Sequence, residues 1–324
     1  MATYLITGIA GFIGSSIARE LVKRGETVRG LDNFSTGKPE NLAALRAHID
    51  FREIDLLNLA GVTEACRGVD YVLHEAAIPS VPRSVADPLA TNRANVDGTL
   101  HLLVAARDAS VRRVVYASSS SVYGDTPTLP KREDMPPLPI SPYAVSKLTG
   151  EYYMTSFFRV YGLETVSLRY FNVFGPQQDP ASMYSAVLAK FISRMLSGQQ
   201  PVLYGDGKQS RDFTFVENVI NAILLACQAP APEVAGRFFN IATSRRTTLN
   251  QTYGLLQELT GYRGAPQYGP ERAGDIKHSL ADITLAKKHL RYAPSVDFEE
   301  GLKRTVAWYR DRTPSQSPSL SFAG

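Results

Sequence analysis

An α/β chain, with a Rossmann-type doubly wound parallel sheet and a smaller C-terminal substrate-binding lobe, is predicted by three observations. A short apolar strand through Leu5 and Ile6 stops at Thr7 and runs into Gly8, Gly11 and Gly14, and an amphipathic run from Ser15 to Arg24 follows. A second apolar strand ends in a carboxylate, Asp32, about twenty residues past that turn. Strands and helices then alternate as far as residue 175, the pattern of parallel β-α-β units.

The first unit defines a dinucleotide site. Gly8 permits the tight turn, Gly11 lets the backbone approach a pyrophosphate, and Gly14 lets helix and strand pack closely. Phe12 and Ile13 share the turn, and the helix N-terminus that follows faces the anion. The second strand, Glu26 to Leu31, delivers Asp32, which can bind both ribose hydroxyls of an adenosine and repel the extra phosphate of NADP. NAD is therefore the expected cofactor. Asn33, Ser35 and Gly37 form a loop suited to wrap that ribose, and the acidic residue outweighs Lys38 beside it.

The third strand, Ile49 to Ile54, ends at Asp55-Leu56, placed to contact the adenine edge. A helix from Leu59 to Arg67 leads to a fourth strand, Tyr71 to His74, with Ala76 and Ala77 small enough for backbone to pass against a cofactor. His74 reads as structural, since it stands at a strand end without a metal partner. Ser80 to Ser84 is a turn-rich loop on the crevice side. Pro88 to Asp108 reads as one long helix with Leu100, Leu103 and Val104 on its apolar face. Asn92 and Asn95 are buried-face candidates near its start. Asn95 either bonds across the helix or holds backbone beside the site.

The fifth strand, Arg113 to Ala117, is followed by four serines, Ser118 to Ser121, at the cofactor crevice. A proline-rich loop, Pro127 to Pro142, then opens a helix that carries Tyr143 and Lys147 on one face at i,i+4 spacing. Leu148, Tyr152 and Phe157 mark a second stripe on it, either a dimer seam or a core face. After a strand from Glu164 to Leu168 the alternation weakens. The expected division is 1–175 as the NAD-binding domain, with later segments contributing, 176–312 as the second lobe, and 313–324 as a disordered Ser- and Pro-rich tail. Expected in the second lobe are helices at Tyr184–Leu196, Val216–Cys227, Leu249–Leu259 and Phe298–Tyr309, and a strand at Phe238–Ile241.

The 324 residues are 44% apolar and 20% charged, with a formal charge of +4. Basic residues are scattered, so a nucleic-acid surface is not expected. Two cysteines far apart give neither a disulfide framework nor metal spacing. No long apolar run suggests a membrane span, and a cytoplasmic protein is the default.

Ser119, Tyr143 and Lys147 make a workable redox trio. The lysine charge can depress the tyrosine pKa and hold a nicotinamide ribose. The tyrosinate can then deprotonate a sugar hydroxyl as hydride leaves the same carbon, with the serine orienting that hydroxyl.

With these motifs the chain resembles the extended short-chain dehydrogenase/reductase family. It looks most like bacterial UDP-sugar 4-epimerases, nearest the UDP-N-acetylglucosamine 4-epimerase branch. The likeness spans roughly residues 3 to 310 and rests on the glycine turn, Asp32, Asp55-Leu56, Ala76-Ala77 and Ser80 to Ser84. Asn95, the serine run, Ser141 to Lys147, Arg169 to Gly175, Gly205 to Gly207, Arg211 to Phe213 and Arg272 to Ser279 extend it. The resemblance implies a bound NAD regenerated each turnover and a 4-keto sugar that turns over before hydride returns. It implies Tyr143 as base, Lys147 as its partner and Ser119 as the catalytic hydroxyl. It places Ser118, Asn95, Tyr170 and Val173 at the cofactor, and Ser80, Arg83, Ser120, Ser121 and Asn172 at the sugar or diphosphate. Lys190 and Tyr204 fall near the uridine, Arg211 and Arg272 match a diphosphate clamp, and Asp275 matches a ribose ligand. Dehydratase and decarboxylase relatives carry an acid just after the catalytic hydroxyl, where this chain has Ser120 and Ser121. A small residue, Ser279, stands where glucose-restricted epimerases carry a tyrosine, which leaves room for a 2-acetamido group. The expectation is an epimerase of UDP-N-acetylglucosamine and UDP-N-acetylgalactosamine, with UDP-glucose/UDP-galactose as the alternative and UDP-glucuronate behind it, working as a homodimer through helices from each protomer.

Overall fold

A computed structural model describes residues 1–180, 187–271 and 277–312. Seven parallel strands form the main sheet: β1 (Thr3–Thr7), β2 (Thr27–Asp32), β3 (Asp50–Glu53), β4 (Tyr71–His74), β5 (Arg113–Ser119), β6 (Glu164–Tyr170) and, late in the chain, Arg237–Ile241. From one edge the order is Arg237–Ile241, β6, β5, β4, β1, β2, β3. The order reverses between β1 and β4, and the crevice above that reversal is where a doubly wound sheet takes its ligand. Thr7 stands opposite Leu31 on one side and His74 on the other.

Both sheet faces are covered, which is why β4 and β5 read as continuous apolar runs. One face packs on α1 (Phe12–Lys23) through Ile17 and Leu21, with residues of the later helix Val216–Gln228 beside them. The other face packs on α2 (Leu59–Cys66), on the Gly98–Asp108 helix, and on Met154 and Phe157 of the Pro142–Tyr161 helix.

The long helix expected from Pro88 is three pieces. After α3 (Val81–Ala86) come α4 (Pro88–Asn92), a π-helical turn at Arg93–Asp97 and α5 (Gly98–Asp108). The widened turn carries Asn95 inward, as such turns do at functional sites. Asn92, expected on the buried face, is exposed. Pro142 opens α6 (Pro142–Tyr161) as expected; Ser141 caps it by accepting the Ala144 N–H, and left-handed Gly162 ends it. Its second stripe divides. Phe157 is buried and Leu148 packs on the core, whereas Tyr152 is 61% exposed.

Beyond β6 the chain adds β7 (Val173–Phe174), α7 (Val187–Leu196), β8 (Val202–Tyr204), β9 (Ser210–Arg211), β10 (Thr214–Phe215), α8 (Val216–Gln228), α9 (Ala231–Val234), β11 (Arg237–Ile241), β12 (Thr247–Thr248), α10 (Leu249–Thr260), β13 (Gln267–Gly269) and α11 (Phe298–Arg310). Although it follows residue 175, β11 is the edge strand of the main sheet, paired with β6. The first residues of the helix expected at Tyr184–Leu196, and the tail at 313–324, lie outside the described residues.

Candidate active site

A cavity of about 800 Å³ opens at the carboxyl ends of the central strands. Its floor is the glycine turn. Gly8 sits at φ +71°, and a Cβ on Gly14 would stand 2.2 Å from the Gly8 carbonyl oxygen, so both positions demand glycine. Phe12 and Ile13 line the same wall. Asp32 accepts the Ala10 N–H at 2.8 Å and the Phe34 N–H at 2.8 Å, one on each carboxylate oxygen. Burial raises its pKa, and those backbone donors oppose the shift. Gly37 lies behind it, where a Cβ would come within 2.9 Å of the carboxylate oxygens. Asn33, Ser35, Asp55 and Leu56 complete this end, with an Asn33 to Asp55 hydrogen bond of 2.6 Å.

Ala76 and Ala77 line the middle of the cavity. Asn95 does not reach the cavity surface. Its Oδ1 accepts the Ile78 N–H at 2.8 Å and its Nδ2 donates to Ser146 Oγ at 3.0 Å. Of its two expected roles, it therefore holds the cavity-lining backbone and ties it to α6. His74 is enclosed between the hydroxyls of Thr7 and Thr99, at 2.8 Å each. Burial drops its pKa to about 3, which fits a structural role.

The reactive end brings Ser119, Ser120, Tyr143, Tyr170, Asn172 and Val173 onto one wall. Tyr143 shares this wall with Ser119, and its backbone N–H donates to Ser84 Oγ at 3.0 Å, which docks the first turn of α6 on α3. Lys147 lies beneath, its Nζ 2.8 Å from the Ala117 carbonyl and 6.0 Å from the Tyr143 ring centre. The expected depression of the Tyr143 pKa is absent. Burial raises it, Ser119 opposes the shift and Glu75 adds to it. The reason is burial itself, which outweighs the Ser119 contribution and also brings the Lys147 pKa down to about 8.

Ser118 borders the cavity, but its hydroxyl donates to Glu151. Glu151 also takes two bonds from Arg169, at 2.8 and 2.7 Å, and both ionic side chains are 2% exposed. This buried pair pins α6 to β6. Ser121 is off the wall: its Oγ is buried, without a partner among the described residues, because the chain turns there into a 3-10 segment. Ser80 lines the cavity but spends its hydroxyl on the Arg83 N–H as the cap of α3, and Arg83 lines the mouth.

Lys190 on α7, Tyr204 on β8 and Arg211 on β9 stand outside this cavity wall, in the second lobe. Ser279 lies one layer back, its hydroxyl accepting Asn172 Nδ2 at 3.3 Å. Arg272 and Asp275 lie outside the described residues. The sequence reading missed Glu75, Gln177, Gln178 and Asp179, all cavity-lining. Glu75 had a visible signal, a carboxyl placed between a buried strand and two alanines. The others follow a turn and had none. Among the described residues no group of three His, Cys, Asp or Glu side chains could hold a metal, and no helix is long and apolar enough to cross a membrane.

The site suits a dinucleotide: a glycine floor under a helix N-terminus, a carboxylate held by backbone N–H groups, and a tyrosine–serine pair at the far end. Comparison with known proteins agrees. A UDP-glucose 4-epimerase of Mycolicibacterium smegmatis is 37% identical over 314 residues, covering 95% of this chain and 99% of the relative. A UDP-glucose 4-epimerase of Thermotoga maritima, solved with UDP-glucose, superposes with TM-score 0.91 at 39% identity, over 96% of this chain and 99% of that one. A UDP-N-acetylglucosamine 4-epimerase of Methanobrevibacter ruminantium, solved with UDP-N-acetylmuramic acid, gives TM-score 0.91 at 40% identity with the same coverage. The family model "NAD dependent epimerase/dehydratase family" matches residues 4–242, and the chain belongs to that family.

Proposed function

We propose that the protein is an NAD-dependent UDP-sugar 4-epimerase that interconverts UDP-glucose and UDP-galactose. The observation that carries it is Tyr143 and Ser119 together on the wall of a cavity whose opposite end holds Asp32. NAD fits that cavity by the glycine floor and the Asp32 carboxylate. When bound it supplies a hydride acceptor and donor.

Ser119 and Tyr143 grip the sugar 4-hydroxyl between them. Tyr143 takes its proton as the C4 hydride departs and returns it when hydride comes back on the other face. Lys147 holds the nicotinamide ribose and supplies positive charge beneath the phenol. Neither Ser120 nor Ser121 is an acid, so water loss from the sugar has no proton donor there. Asn172 and the second lobe, with Lys190, Tyr204, Arg211, Arg272 and Asp275, grip the UDP half.

The preference for the acetamido sugar drawn from sequence is replaced here by the plain hexose, because relatives with UDP-glucose names match this chain as well as the acetamido enzyme does. One observation favours a second substrate. Ser279 is small and sits directly behind Asn172, so the sugar pocket can admit a 2-acetamido group without excluding the smaller sugar. A homodimer is supported by Val85, Leu89, Val145 and Tyr152, exposed on the neighbouring helices α3, α4 and α6. Mass from light scattering tests it.

Substrate choice is tested by supplying UDP-glucose, UDP-N-acetylglucosamine and UDP-glucuronate separately and resolving products by NMR. Conversion of UDP-glucose supports the reading. Conversion of only the acetamido sugar overturns the substrate assignment, and conversion of none overturns the activity.

A further inference from the structure

Among the described residues, Glu75 is the one carboxylate at the reactive end of the cavity that the reaction just described leaves unused. It is the first residue past β4, pinned by its N–H to the Thr7 carbonyl at 3.2 Å, so it stands at the crevice between β4 and β1. Its side chain lines the cavity, and its Oε1 accepts the Tyr170 hydroxyl at 2.9 Å. Lys147 attracts it, but its Nζ hydrogen-bonds the Ala117 carbonyl, and Glu75 has no ion pair among the described residues. A carboxylate in so enclosed a place is costly without positive charge to meet it. The bound cofactor brings one: the oxidised nicotinamide ring is a cation and the reduced ring is neutral.

We propose that Glu75 is the counter-charge of the nicotinamide, favouring the oxidised ring over the reduced one and so keeping the enzyme ready to accept hydride from the sugar. The inference rests on the reading that the ring lies beside Tyr143. Hydride leaves C4 of the sugar as the O–H proton passes to Tyr143. The C–H and O–H bonds break, the C=O bond forms, and the ring loses its charge. Lys147 opposes a cation in the same place, and Glu75 offsets it. Tyr170 orients the carboxylate by its hydrogen bond.

The test is a redox titration of the holoenzyme against a mediator dye, read from the reduced-nicotinamide absorbance, with no sugar present. It therefore reports whether or not any UDP-sugar turns over. Glu75→Gln should raise the potential of the bound cofactor so that the reduced-to-oxidised ratio grows about tenfold, about 30 mV for a two-electron couple. Tyr170→Phe, which keeps the charge but loosens it, should raise it less. An unchanged or lowered potential in a folded Glu75→Gln holoenzyme overturns the proposal.

Should that variant not fold, the wild-type potential against pH decides. The titratable groups facing Glu75 are Tyr170 from β6 and Tyr143 and Lys147 from α6. Burial lifts the Glu75 carboxyl to about 7. Below that pH reduction should take up an additional proton, and the potential should climb more steeply with acidity than the hydride alone requires. One unbroken slope from pH 8 to about pH 5 overturns the proposal.

Discussion

Replacing Gly14 by alanine probes the glycine floor at the atom where it is tightest. The added Cβ would lie 2.2 Å from the Gly8 carbonyl oxygen and 2.9 Å from both the Gly8 carbonyl carbon and the Ile9 Cα. Ordinary contact begins near 3.4 Å, so helix and turn must part by about 1 Å. All three neighbours are backbone, and none can swing aside as a side chain would. Overpacking of this kind costs about 1–3 kcal/mol, equal to roughly 5- to 150-fold in an equilibrium constant. The cost divides between folding and NAD binding, because the first backbone N–H groups of α1, at cavity-lining Phe12 and Ile13, ride on the displaced helix. Calorimetric titration of cofactor-stripped protein with NAD should show a weaker dissociation constant, by up to about 150-fold, together with a lower melting temperature. An alanine variant with both values unchanged would refute the close packing of α1 on the turn.

Two further perturbations follow from buried groups. Arg169→Met leaves the Glu151 carboxyl 2% exposed and without its guanidinium. Denaturant unfolding should show a loss of about 3–5 kcal/mol, much of it restored when Glu151 is also replaced by methionine. His74 gives an acid dependence: its folded pKa lies near 3, below the unfolded value near 6.5. The unfolded chain alone takes up that proton between these limits, so the stability is complete above pH ~6.5 and falls as pH drops through the window, by about 1.4 kcal/mol per pH unit. Glutamine at position 74 should flatten that slope in unfolding titrations, and a slope as steep as the native one would count against the burial argument.

The elements of the first half were legible because local chemistry dictates them. Ser141, Pro142 and Gly162 bracket α6 by capping alone, and the Gly8–Asp32 spacing follows from one strand, one turn and one helix. What escaped depends on partners far away in sequence. The π turn around Asn95 exists because its side chain must reach both Ile78 and Ser146, and no periodicity announces that. Ser118 looked equal to its three neighbours, yet Glu151, thirty-three residues on, takes its hydroxyl. The sequence correctly put Tyr143 and Lys147 on one helical face, but the Tyr143 pKa depends on burial and on Glu75, neither visible from i,i+4 spacing. The place of β11 beside β6 joins segments about seventy residues apart, beyond the range of any turn signal.

The central claim is that the Tyr143 phenol moves the proton of the sugar hydroxyl. It is tested most directly by the turnover of Tyr143→Phe on UDP-glucose, measured on protein whose NAD content has been matched to the native enzyme. Loss of the hydroxyl should lower kcat by at least about a hundredfold while the cofactor stays bound. A variant that epimerises the sugar at the native rate would contradict the account.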